Sequence, residues 1–66
     1  MFQKELCRTL LAAPNEWHVL APSRRAMEAA CGLHNLGIAL VEADATIVQI
    51  TLASEEKANR WLNSFS

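Results

Sequence analysis

Four side chains in this 66-residue sequence offer the nitrogen and sulfur donors that metal chemistry uses: Cys7, His18, Cys31 and His34. Cys31 and His34 stand three positions apart, a spacing that sets two donors on one helical face and could grip one zinc ion. Cys7 and His18 lie eleven positions apart on different elements, without the tight turn spacing of zinc fingers or ribbons. The expectation is therefore two thiols and two imidazoles in ordinary structural surroundings, with no metal and no cofactor. Nucleophilic catalysis needs a base within hydrogen-bond reach of the nucleophile and a third group to orient that base. Cys31 with His34 is the nearest pair, and it lacks the third group in a stretch that reads as apolar. Asp44, the single aspartate, sits among alanines, and the six glutamates fall mostly on helix surfaces or helix starts. No carboxylate dyad emerges, and the chain is expected not to be an enzyme.

The elements that must carry these side chains follow from periodicity. Phe2, Leu6, Leu10 and Leu11 recur at helical spacing, and Pro14 stops that helix, predicting helix over 2–13. Trp17, Val19 and Ala21 alternate with His18 and Leu20, which predicts a short strand over 17–21. Ser23 is placed to cap a second helix whose apolar side comprises Ala26, Met27, Ala30, Cys31, Leu33 and Leu36. Arg24 and Glu28 are spaced to pair on its outer side. Gly32 interrupts this helix at a cost of about 1 kcal/mol relative to alanine, a cost that close approach of another backbone would offset. Gly37 suits the left-handed position that ends a helix, with Ile38 folding back onto Leu33.

Branched residues over 38–42 and 46–52 predict a hairpin closed by Ala43, Asp44 and Ala45. A three-residue loop sets Leu40 opposite Val48 and Ile38 opposite Ile50. Ile38, Leu40, Val48, Ile50 and Leu52 then share the buried face, and Ile47, Gln49 and Thr51 the outer one. A two-residue loop would instead pair Val41 with Val48. Ser54 caps a last helix, with Glu55 and Glu56 in its first turn and Ala58, Trp61, Leu62 and Phe65 as its buried stripe. The whole chain reads as one α+β domain, three helices packed on a small three-stranded antiparallel sheet in the order α-β-α-β-β-α.

Hydrophobic residues make up 52% of the chain and charged residues 20%, which places it away from disordered sequences. A formal net charge of -1 gives no overall positive field to draw the chain onto nucleic acid or an anionic membrane, so a protein partner is the default. The longest apolar runs, 10–13 and 38–41, fall far short of the roughly 20 residues needed to span a bilayer. Charge within the first eight residues does not fit a signal peptide, and the expected location is cytoplasmic. Two cysteines are fewer than secreted frameworks use, so free thiols are expected, with one Cys7 to Cys31 bridge left open.

The run Ser-Arg-Arg-Ala-Met-Glu-Ala-Ala-Cys-Gly-Leu-His-Asn-Leu-Gly-Ile-Ala-Leu-Val-Glu over 23–42, followed by Thr-Ile-Val-Gln-Ile-Thr-Leu over 46–52, resembles the recognition helix and wing of winged helix-turn-helix proteins. The resemblance implies a winged-helix-like fold in which the strand over 17–21 completes the sheet. It also implies a DNA-binding regulator in which Arg24, Arg25 and Asn35 face the duplex. The would-be wing carries Glu42 and Asp44 and no lysine or arginine, which ranks that reading second, because phosphate contacts supply most non-specific affinity.

The first expectation is a small protein-binding regulator or inhibitor, with a homodimer through a sheet edge or an open helix face as one form. Trp17, Ile47, Gln49 and Thr51 are its expected partner-binding residues. A metal-stabilised domain built on Cys7, His18, Cys31 and His34 ranks third.

Overall fold

Leu6, Cys7 and Leu10 fall on one side of the first helix and are buried, and this amphipathic stripe defines α1 (Phe2–Ala12). The computed structural model describes residues 2–65. Pro14 ends α1, and the Glu16 N–H closes a turn on the Ala13 carbonyl at 3.3 Å. The chain then enters β1 (His18–Leu20), shorter than the expected 17–21.

Ser23 takes extended backbone geometry and its hydroxyl accepts the Ala26 N–H at 3.2 Å, starting α2 (Arg24–Asn35). At the other end Gly37 adopts φ +76. The Gly37 N–H donates to the His34 carbonyl and the Ile38 N–H to the Leu33 carbonyl, both at 3.0 Å, the double bond of a Schellman stop. Ile38 and Leu33 are both fully buried, so the anticipated fold-back is present.

The hairpin comprises β2 (Ala39–Ala43) and β3 (Val48–Leu52), after which Ser54 caps α3 (Glu55–Asn63) through the Lys57 N–H at 3.2 Å. The sheet is antiparallel with order β1-β3-β2, leaving β3 in the centre. The architecture is therefore the expected α+β one, three helices and a three-stranded sheet in the order α-β-α-β-β-α.

The hairpin register differs from both expected alternatives. Val41 pairs with Ile50, Leu40 with Thr51 and Ala43 with Val48, so four residues, 44–47, form the turn. The cause is the Asp44 carboxylate. Its Oδ1 accepts from the Thr46 N–H at 2.8 Å, the Thr46 hydroxyl at 2.9 Å and the Ile47 N–H at 2.9 Å, while the Asp44 N–H donates to the Ile47 carbonyl. This side-chain-built turn consumes Thr46 and Ile47, which the branched-residue pattern assigns to the strand. With the register changed, Leu40 moves out of the core, and Ala39 and Val41 take the inward positions.

Leu6, Cys7, Leu10, Ala30, Leu33, Ile38, Val48, Ile50 and Ala58 belong to one buried cluster, so all three helices meet the same face of the sheet. Cys31 and Leu36 are exposed where an apolar side was expected, and Ala29 is buried instead. No backbone closes on Gly32; only the flexible end of the Gln3 side chain of α1 lies over it, and that amide could move aside for a Cβ. In α3 Ala58 is buried and Trp61 and Leu62 half-buried, but Phe65 is exposed. Phe65 meets Trp61 edge-on at 4.9 Å and lies under the Lys4 ammonium at 4.7 Å.

Candidate functional site: an uncovered sheet face

Alternation along β2 and β3 sends Ala39, Val41, Val48 and Ile50 toward the helices, and so sends Leu40, Glu42, Gln49 and Thr51 to the opposite side. On β1, Val19 pairs with Gln49 and joins this outer face, and Trp17, two residues earlier, continues it. The result is an apolar surface left open on a small domain: Trp17 is 45% exposed, Val19 64%, Leu40 51% and Ile47 37%. Thr51 and Gln49 run down its middle on the central strand. The apolar side chains alternate with Glu42, Gln49 and Thr51 on this face, so it is mixed in character.

Trp17 and Ile47 lie at opposite ends of this face, with the half-buried Gln49 between them on the central strand. Thr51 is corrected: it is buried, and its hydroxyl donates to the Glu16 carbonyl at 2.8 Å, tying the entry of β1 to the central strand. It supports the face and offers no free polar group to a partner. Val19 and Leu40 also stand open on this face, beyond the residues expected there. The alternation of Trp17 with Val19 already held the signal for one, whereas Leu40 was assigned inward by the three-residue turn.

The face has an acidic rim. Every lysine and arginine lies on a helix, namely Lys4 and Arg8 on α1, Arg24 and Arg25 on α2, and Lys57 and Arg60 on α3. Of the seven acids, Glu16, Glu42 and Asp44 belong to the sheet, its approach and its turn, and no basic residue accompanies them. The hydrogen bonds from Thr46 and Ile47 hold the Asp44 carboxyl below the usual carboxylate range, so it is ionised wherever the protein is folded near neutral pH. Glu42, Ala43, Asp44, Ile47 and Gln49 line a recess of 210 Å³ at this end of the face.

The donors with metal potential do not converge, and among the described residues no three His, Cys, Asp or Glu side chains are grouped to hold an ion. Cys7 is fully buried, with its Sγ 4.0 Å from the Ala58 carbonyl, and burial pushes its thiol pKa up against the opposing pull of Arg8. Cys31 lies on the surface, and both thiols are free. His18 turns Nε2 toward the Ala13 carbonyl at 3.4 Å and His34 turns Nδ1 toward the Ala39 carbonyl at 3.1 Å. Since a carbonyl only accepts, each facing nitrogen carries its proton, and each ring pins a turn or strand to the helix beside it.

The helix residues considered for DNA are spread along α2. Arg24 Nε donates to Glu28 Oε1 at 3.2 Å on an exposed surface. Arg25 lines a recess of 440 Å³ with Phe2, Gln3, Glu28 and Ala29, and Asn35 is exposed at the far end of the helix. Comparison with known proteins returns no match to a family model, a curated protein or a solved structure. No described helix is long and apolar enough to cross a membrane.

Proposed function

We propose that this chain is a small non-enzymatic regulator or inhibitor that acts by binding another protein through the outer face of its sheet. The observation that carries the reading is the exposure of Trp17, Val19, Leu40 and Ile47 on the side opposite all three helices. Fully burying an exposed side chain of this kind is worth about 1.5–3 kcal/mol, and since these are already about half covered a partner gains roughly half of that for each. Tryptophan is also among the residue types that most often dominate binding energy, and Trp17 stands open at the β1 edge of this face. Substituting Val19→Lys together with Leu40→Lys should leave folding within about 0.5 kcal/mol, as for most surface changes. A pull-down from the native cell with the parent and this double variant tests the reading. Partners recovered by the parent should be lost with the variant, and equal recovery would contradict a sheet-face site.

A reduced winged-helix DNA-binding regulator is the second reading. It is favoured by the direct passage of α2 through Gly37 into the β2–β3 hairpin and by the pairing of β1 with β3. Arg24, Arg25 and Asn35 would carry it. The Arg24 to Glu28 pair and the acidic turn at Asp44 weigh against it. Fluorescence anisotropy with duplex DNA across a salt series separates the two readings. DNA binding would fall steeply with salt and weaken in Arg24→Ala and Arg25→Ala, whereas a protein-binding chain would give no such signal.

A further inference from the structure

We propose, building on the protein-binding reading, that the occupant of the open sheet face is a basic amphipathic helix of the partner. Shape argues for a helix. Three strands spaced about 4.8 Å apart form a strip about 10 Å between outer strand axes, close to the diameter of an α-helix. The five residues of β2 and β3 give it a length of about 17 Å, roughly 11 helical residues. A helix laid on a sheet is also one of the few stable layer solutions, and the inner face of this sheet already uses it. An extended strand would instead add to an edge and leave Trp17, Val19 and Leu40 uncovered.

Charge argues for a basic one. Glu42 and Asp44 line a recess with Ile47 and Gln49 at the hairpin end of the face, Glu16 leads into β1 at its other end, and every lysine and arginine of the chain lies on the helices. An incoming helix with leucine-like residues on one stripe and lysine or arginine on its flanks fills the strip and meets the rim. A second copy docked by the same face would set one acidic rim against the other, an arrangement that like-charge repulsion disfavours. The same acids disfavour a phosphate backbone on this face.

The test uses two synthetic peptides of about 14 residues, long enough to cover the strip. Both carry leucine at helical spacing, one with lysine and one with glutamate at the remaining positions. Each is titrated into the isotopically labelled full chain and followed by NMR. The lysine peptide should shift Val19, Leu40 and Gln49. It should bind about tenfold more weakly to Glu42→Lys and no longer bind Val19→Ser/Leu40→Ser. The glutamate peptide should not bind. Equal binding of both peptides on this face would overturn the basic occupant while leaving protein binding intact. Lysine-peptide shifts confined to α1, α2 or α3, or none with either peptide, would overturn both. Light scattering that shows a dimer dissolved by Val19→Ser/Leu40→Ser would make the occupant a second copy and overturn the inference.

Discussion

The clearest chemistry at single residues concerns Cys7, Cys31 and Asp44. One thiol is sealed in the core and the other stands on an exposed helix face, although both lie in apolar-looking sequence. An aromatic disulfide reagent should therefore modify Cys31 at once and Cys7 only at the rate of unfolding, because the thiolate must form and be reached before it reacts. Two fast phases would place Cys7 outside the core. Asp44 makes the opposite case, an exposed carboxylate whose value is structural. Its pKa is depressed in the folded chain, so its stabilisation is complete above the ordinary aspartate value of about 4 and is lost as pH falls through the lower folded value. Asp44→Asn should lower the unfolding midpoint at neutral pH and flatten the acid side of the stability profile. A variant with the parent's acid dependence would remove Asp44 as its source.

At the scale of elements, Ile38 joins three of them. Its N–H closes α2 on Leu33, and its carbonyl accepts from Ala53 and Ser54 at 2.8 and 3.2 Å, where β3 hands over to α3. Gly37 makes this junction possible. Any Cβ there would sit in left-handed backbone and meet the Lys57 ammonium at 2.9 Å. Gly37→Ala should cost about 1–2 kcal/mol in denaturant unfolding, the ordinary penalty for a left-handed residue with a side chain. A neutral result would mean that the junction relaxes. The caps at Ser23 and Ser54, the Gly37 stop and the number and order of elements were all legible in the sequence, because each is written in local residue types. The hairpin register was not. It depends on three hydrogen bonds to one carboxylate, and branched residues at Thr46 and Ile47 gave a strand signal that this turn overrode. A three-residue turn turns Leu40 inward, so of the four open apolar residues this one becomes legible only from its pairing with Thr51.

The whole molecule divides by face. The helices, the core and every lysine and arginine belong to one layer, while the other side of the sheet leaves Trp17, Val19, Leu40 and Ile47 open beside Glu42 and Asp44; Phe2, Leu36 and Phe65 are the exposed apolar residues of the helical layer. One-sided burial is common for antiparallel sheets, but the outward positions are then polar, and here Trp17, Val19 and Leu40 depart from that alternation. The proposed docking role rests on that departure. Trp17 reports on it directly once Trp61, the other tryptophan, is replaced by phenylalanine. In Trp61→Phe the fluorescence of free protein should be red-shifted and readily quenched by acrylamide, then shift to the blue and become protected when the lysine peptide or a captured partner binds. An indole already blue-shifted and protected in the free chain, or one that ignores bound partner, would contradict an open docking face.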